Sequence, residues 1–571
     1  MGEHFECDVL VIGGGGAGIA AALAASAEGA RAFLVTKEPA GYGNTRLSAG
    51  LLAYPGLLAE DDPEKFFRDI IVGGEFLSNQ ELAYTLAQEA SQASFFLEQE
   101  GLALERDDSG RLSSQVAIKL GGHSISRTLM NFSGGIGFGQ VIKGALIKSG
   151  SRFLSQALVT KLLVTNDRVV GAIGLKISTG EIFTVAASQT ILATGGGGWL
   201  YYPHTDVNRT TTGDGYILAY EAGADLIDME QVQFIPFALT HPKSMVGIVC
   251  GEPFTVGPRG KILNDDGQEF IIGASVKTRA QVSKAIILEV ERGRGTKYGG
   301  VKLDLRENKQ DPDGQRIKKT YETTLKALSD SVRFAYGHRA EDWEEPWDVY
   351  PTAHYFMGGV RIDVNGRCSH PKNLYAVGEV SGGLHGGNRL GSVSLAEIFV
   401  FGLRAGRYAG RTQEGEAIPP LPQKQVATEI ERISSLRGIR GHYRPVNLIR
   451  RLQKTMWDCA GPVREEARLR KGEQILQAIE AQMKEMKISS LKRWNGEWVD
   501  ALELSLMLPL ARMIIRSSQV RTESRGAHIR LDFPQKDDDQ NLRNTIIRKS
   551  SQEMAILTER VSFSRLHPQE L

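Results

Sequence analysis

Asp8-Val-Leu-Val-Ile-Gly13-Gly-Gly15-Gly-Ala-Gly18-Ile-Ala-Ala-Ala-Leu23 is the stretch that decides the fold. Val9 to Ile12 is a short apolar run and reads as a buried strand. Gly13, Gly15 and Gly18 then complete G-x-G-x-x-G, and the Ala/Leu-rich stretch to Ala25 reads as a helix. Strand, glycine turn and helix in that order are the context in which this motif binds a dinucleotide. Gly13 permits the tight turn, Gly15 lets the backbone approach a pyrophosphate, and Gly18 lets the helix pack on the strand. The helix N-terminus offers free N–H groups and a positive dipole end to phosphates. The competing reading is a glycine-rich turn without a ligand.

A second strand follows, Ala32-Phe-Leu-Val-Thr36. An acidic residue is expected about twenty residues after the glycines to hold a ribose. The chain offers Thr36-Lys37-Glu38 there, so the acid is displaced and Thr36 can accept one hydrogen bond. This argues against a soluble, exchangeable nicotinamide dinucleotide.

A chain of 571 residues is long enough for two or three domains. Lys+Arg of 68 against Asp+Glu of 67 leaves no global field for nucleic acid or an anionic membrane. No stretch has the apolar length of a membrane span, and the first residues, Met1 to Glu6, lack the basic and apolar regions of a signal peptide. Glu6 occupies the position where a myristoylation site needs Ser or Thr. Cys7, Cys250, Cys368 and Cys459 are far apart and include no C-x-x-C, so no metal or iron–sulfur site is expected in this chain. A reduced, cytoplasmic protein is the simple expectation.

Along the chain, Gly41 to Gly50 is a small, polar loop suited to lie against a ring system. Residues 63 to 100 read as helical. Gly121 to Arg127 and Ser133 to Gly139 form a second glycine-rich stretch, and Phe153 to Thr184 reads as an antiparallel meander with turns at Asn166-Asp167 and Thr179-Gly180. Gln189-Thr-Ile-Leu-Ala-Thr194-Gly195 is a buried strand running into glycine, and Thr212-Gly-Asp214-Gly215 leads into a helix through Ala222. Pro419-Pro-Leu-Pro422 reads as a linker, and residues 471 to 487 as a charged amphipathic helix with a solvated face.

In these motifs the chain resembles the FAD-dependent flavoproteins of the succinate dehydrogenase/fumarate reductase type, with L-aspartate oxidase and adenylylsulfate reductase as relatives. The resemblance rests on the glycine fingerprint, Asn44-Thr45-Arg-Leu-Ser48-Ala-Gly50, Ala193-Thr-Gly-Gly-Gly and Thr212-Gly-Asp-Gly. It continues in His354-Tyr-Phe-Met-Gly-Gly359, Tyr375-Ala-Val-Gly-Glu379, Gly383-Leu-His-Gly-Gly-Asn-Arg389-Leu-Gly and Arg521-Thr-Glu-Ser-Arg525-Gly-Ala-His528. It implies an α/β fold: a Rossmann-like FAD-binding domain over residues 1–236 and 348–415, with an inserted α+β capping domain over 237–347. A helical C-terminal domain over 416–540 and a tail over 541–571 follow.

By the same resemblance FAD is contacted by Gly13, Gly15, Gly18, Thr36, Lys37, Thr45, Ser48, Gly50, Thr194, Gly195, Asp214, Glu379 and Arg389. Ser394 and Leu395 open a helix aimed at the flavin ring, where a helix N-terminus favours an anionic reduced flavin. Thr45 stands where membrane-bound members carry the histidine that attaches FAD covalently. The segment is similar to that of soluble fumarate reductases, so non-covalent FAD is expected.

The family's proton donor is an arginine, and Arg279 matches it; an arginine is a poor acid and needs a relay and a buried site. The competing reading is that Arg279 merely begins a capping-domain helix. His354 and Arg389 match the pair that binds one substrate carboxylate. The far side departs from the pattern. Ile235, in Gln233-Phe-Ile-Pro-Phe237, replaces a histidine that grips a second carboxylate, and the relay positions fall on Pro253 and Val256. Glu252 either takes the place of a threonine contact or is the relay acid shifted by one residue.

The resemblance therefore implies the flavoprotein subunit of an oxidoreductase that moves hydride between FAD and a C–C bond next to a carboxylate. Ile235 and Phe237 argue against plain fumarate as the substrate. An iron–sulfur subunit is the implied electron partner, since this chain encodes no cluster. Two alternatives stay open at this point: a non-catalytic, flavin-bearing electron-transfer subunit, and an enzyme of the adenylylsulfate reductase or L-aspartate oxidase kind.

Overall fold

The structure is a computed structural model that describes residues 2–113, 116–131, 133–412, 417–550 and 554–570. Strand β1 (Glu3–Ile12) leads through the glycine turn into α1 (Gly16–Ala27) and then β2 (Ala32–Val35). β1 and β2 pair in parallel, with Val9 opposite Ala32 and Ile12 opposite Val35. Cys7 to Ile12 are buried without a break, the mark of a parallel strand covered on both faces. The strands β3 (Arg152–Leu154), β4 (Ala157–Thr165), β5 (Arg168–Lys176) and β6 (Ile182–Leu192) complete the order β3-β2-β1-β6-β5-β4.

β4, β5 and β6 are the antiparallel meander. Its first turn has Asn166 and Asp167 both at positive φ, the conformation a two-residue hairpin loop favours. Phe153 lies outside the meander, in β3, parallel to β2. Leu374–Ala376 pairs in parallel with the C-terminal end of β6, with Leu374 opposite Thr190.

A second, antiparallel sheet has the order β8-β7-β11-β10-β9. Its strands are β7 (Val232–Leu239), β8 (Val249–Gly251), β9 (Lys261–Leu263), β10 (Val301–Asp304) and β11 (Trp347–Phe356). Helix α2 (Arg279–Glu289) packs on β7, and a separate core forms here around Ile286, Val301, Leu303, Tyr321, Trp343 and Trp347. Sheet and helices together give this insertion its α+β character.

Helix α3 (Val393–Thr412) returns to the first sheet and lies on α1. A Cβ on Gly402 would sit 2.8 Å from the Ala17 carbonyl oxygen, and one on Gly406 2.2 Å from that of Ala21. This close approach brings the N-terminus of α3 to the glycine turn. The C-terminal part contains helices Pro445–Ala460 and Glu466–Met483 and α4 (Gly496–Val520). The expected boundary at 415/416 lies outside the described residues.

Two sequence expectations are corrected by the backbone. Residues 63–100 form two helices, Pro63–Gly73 and Gln80–Gln99, because Glu75 and Phe76 take positive φ and Asn79 caps a fresh start. The last residues are more than a tail: Arg543–Lys549 and Met554–Arg560 form a hairpin whose first strand pairs with Leu226–Ile227.

Candidate active site

A cavity of about 440 Å³ lies between the glycine turn, the N-terminus of α3 and the antiparallel sheet. That volume is within the roughly 300–1,000 Å³ of small-molecule sites. It gathers Gly13, Gly15, Thr36, Lys37, Thr45, Ser48, Thr194, Gly195, Asp214, Glu379, Ser394 and Leu395 with Arg279, His354 and Arg389. Residues hundreds of positions apart thus meet around one space.

Gly18 and Gly50 do not line it. A Cβ on Gly18 would sit 1.9 Å from the Gly13 carbonyl oxygen, so its role is close helix–strand packing. Gly50 has φ +77 and its Cβ would lie 2.6 Å from the Gly134 Cα, so both its backbone angle and its close neighbour require glycine. At Gly195, also at positive φ, a Cβ would meet nothing within 4 Å.

At the glycine-turn end, the Thr45 hydroxyl accepts a hydrogen bond from the Gly16 N–H at 3.1 Å, within the first turn of α1. The Lys37 ammonium is buried and is held by Asp214 at 2.6 Å, Glu503 at 3.1 Å and the Thr212 hydroxyl at 2.8 Å. These partners outweigh its burial and raise its pKa. Glu503, on α4, also takes the Arg209 guanidinium at 2.9 Å. Glu38 lines the cavity as well and accepts from the Asn208 amide at 3.0 Å. Glu379 accepts from the Phe356 N–H at 3.1 Å, and burial pushes its carboxyl up to about 7.

At the other end, Arg279 is the first residue of α2, fixed there by the Thr278–Gln281 capping box. Its Nε donates to Glu252 Oε2 at 2.9 Å and its Nη2 to Glu252 Oε1, so the two groups form a two-point ion pair. Both are buried. The Gln233 amide nitrogen donates to the Arg389 carbonyl at 2.8 Å and to Asn388 Oδ1 at 3.2 Å, while its oxygen faces Arg279 Nη1 at 3.4 Å. Asn388 Oδ1 also accepts from the Ala280 N–H at 3.2 Å. Gln233 and Asn388 therefore tie β7, the start of α2 and the Arg389 segment into one frame.

His354 Nδ1 lies 2.8 Å from Asp206 Oδ2. Arg389 is buried, stacks its guanidinium 4.6 Å from the Tyr355 ring centroid and donates to the Ser394 hydroxyl at 3.0 Å and the Leu390 carbonyl at 3.3 Å. Burial, with Arg279 nearby, pulls its pKa down to about 10. Arg389 Nε, Thr194 Oγ1 and Asp206 Oδ1 are buried without a partner among the described residues. Orphaned polar atoms are rare in a folded interior, and these three belong to cavity-lining residues. Together with the open space at Gly195 and the glycine turn, they fit an extended polar cofactor with a charged substrate beside it.

Pro253 and Val256 bring no carboxylate to Arg279. The carboxylate of Glu252, one position earlier, reaches Arg279 from the start of the 3-10 turn Pro253–Val256. Phe237 does not join Ile235 in the cavity wall. It is fully buried in the core of the inserted sheet, where the register of β7 against β11 shifts between Ile235 and Ala238. Sequence reasoning missed Asp206, Gln233, Asn388 and Glu503 as site residues. Only Gln233 stood in a quoted departure from the pattern, and Glu503 gave no local signal.

The family described as FAD binding domain matches residues 8–395, and the one described as fumarate reductase flavoprotein C-term matches 449–571. One chain of the fumarate reductase (CoM/CoB) of Methanothermobacter marburgensis is 36% identical over 545 residues, covering 93% of this chain and 95% of the relative. The succinate dehydrogenase flavoprotein subunit of Rickettsia bellii is 28% identical over 587 residues, covering 95% and 93%. Among solved structures, a variant of the E. coli quinol fumarate reductase chain superposes with TM-score 0.90 at 27% identity, over 99% of this chain and 98% of that one.

Proposed function

The chain belongs to the fumarate reductase/succinate dehydrogenase flavoprotein family, a family of FAD-dependent oxidoreductases, and we propose that it moves hydride between FAD and a C–C bond next to a carboxylate. Bound reduced FAD supplies the hydride. Arg389 and His354 hold the substrate carboxylate, and Asp206 orients the His354 ring through Nδ1. Arg279 delivers the proton at the other alkene carbon, and Glu252 resupplies it from behind. The N-terminal turn of α3, with Ser394 and Leu395, adds a positive dipole end beside the cofactor. Thr45 offers no atom for a histidyl bond, so FAD is held without a covalent link.

One observation carries this reading: the buried Arg279–Glu252 pair opens onto the same cavity as Arg389 and the glycine turn. It also removes the motive for a non-catalytic flavin carrier, which rested on a broken relay. An iron–sulfur subunit is the electron partner in this reading, and its place is cytoplasmic. No helix among the described residues is long and apolar enough to cross a membrane. The test is anaerobic: reduce the bound flavin chemically, remove the reductant and mix with 2-enoic acids. Reoxidation faster than in buffer supports the reading; flavin that stays reduced against every acid overturns it.

A further inference from the structure

We infer that the substrate is a 2-enoic acid with a single carboxylate and an apolar far end. The inference rests on the hydride-transfer reading above and narrows it to a substrate class.

The first argument counts charges. Two arginines face the reaction end of the cavity, and Glu252 already neutralises Arg279 with both oxygens. His354 already has the Asp206 carboxylate on its Nδ1. Among the described residues Arg389 makes no ion pair. Its bonds go to a hydroxyl and a carbonyl, its face lies on an aromatic ring, and its Nε is unpartnered. Glu252 and Glu379 act on Arg389 only from a distance, so this buried cation has no carboxylate in direct contact, and one substrate carboxylate supplies that contact. A second carboxylate would face the Glu252 carboxylate with no cation left to offset it, a costly arrangement away from water.

The second argument is the wall. Ile235, which is 1% exposed, stands in the cavity with Ile248, Val249, Leu325 and Leu328. These come from β7, the first residue of β8 with the one before it, and the start of helix Lys326–Tyr336. Ile248 is 38% exposed and marks where this wall meets solvent. An alkyl or aryl group would be covered by it, whereas a carboxylate would find no donor among these five side chains. The reaction balances as in any enoate reduction: hydride and proton add across the double bond, the acid becomes saturated, and the flavin is oxidised.

The experiment uses the FAD-loaded protein. Chemically reduced enzyme is mixed anaerobically with fumarate, crotonate and cinnamate, and flavin reoxidation is followed. In parallel, succinate, butyrate and 3-phenylpropionate are titrated into oxidised enzyme and binding is read from the flavin absorbance change. Crotonate or cinnamate should exceed fumarate at least tenfold in second-order rate, and a monocarboxylate should bind tighter than succinate by a similar factor. Glu252→Gln should tighten succinate binding several-fold, because it frees the charge of Arg279, even as turnover falls. Fumarate and succinate ahead of all monocarboxylates in the wild-type protein would overturn the substrate class while leaving hydride transfer intact. Reduced flavin that ignores all three enoates would overturn hydride transfer itself, and this inference with it.

Discussion

Glu252 and Arg279, 27 residues apart in sequence, meet as a buried two-point ion pair at the wall of the cavity. In the proposed reaction this pair would give the arginine a fixed direction, a buried setting and an adjacent carboxylate to restore its proton. Arg279→Lys keeps a positive charge but loses the fork. Turnover with the best enoate should fall by about a hundredfold to ten-thousandfold, the usual range for a lost general acid. The oxidised flavin spectrum should not change. Stopped-flow reoxidation of the reduced variant checks this, and near-normal rates would return Arg279 to a helix-starting role.

Asp206 holds the His354 ring through its Nδ1. Asp206→Ala removes a charge-assisted hydrogen bond worth about 1.5–3 kcal/mol. KM for the enoate should rise about tenfold or more, with a smaller change in kcat, because the ring still occupies the site but is no longer oriented. Steady-state kinetics with a reduced dye separates the two parameters. A fall in kcat at constant KM would argue for a direct part in the chemistry.

The purified protein should be yellow, and acid precipitation should send the colour into the supernatant. Thr45 stands where a histidyl link would form, and its hydroxyl is already engaged by the Gly16 N–H. Flavin that remains with the pellet would contradict non-covalent binding.

Removal of FAD should leave a pH-dependent weakness at Glu379. Burial lifts its folded pKa to about 7, above the ordinary carboxylate value that the unfolded chain shows. The unfolded chain then binds fewer protons between about pH 4.5 and 7, so stability falls as pH rises through that window. Below it both states are protonated and the penalty is absent; above it the full penalty remains, on the order of 3 kcal/mol. Glu379→Gln keeps an oxygen acceptor for the Phe356 N–H. Thermal unfolding of the apoprotein should therefore show a smaller drop from pH 5 to 7.5 in the variant than in the parent. Equal drops would mean that Glu379 is not the group responsible.

Much of the site was legible because its signals are local. A glycine turn between strand and helix declares itself, as do short runs such as His354–Gly359 or Gly383–Gly391, from which the cavity takes His354, Tyr355 and Arg389. What escaped depends on contacts that no run of sequence encodes. The carboxylate that meets Arg279 is Glu252, one position before Pro253, at the start of a 3-10 turn. Asp206 and Glu503 act through partners 148 and 466 residues away. Phe237 looked like a neighbour of Ile235 until a register shift turned it into the core. The break after Gly73 was hidden for another reason: Glu75 and Phe76 take positive φ, which side chains other than glycine rarely announce.

Glu503 closes the ring of charge around Lys37 from a helix in the last part of the chain. A ribosome making this chain therefore places Lys37 466 residues ahead of the Glu503 that completes its lock. Across that span a nascent chain has its glycine turn in place while the ammonium beside it lacks one of its two counter-ions. The full set of counter-ions around Lys37 therefore has to wait for α4, and a chain cut short of Glu503 keeps a recognisable dinucleotide motif beside an ammonium that has Asp214 but not Glu503.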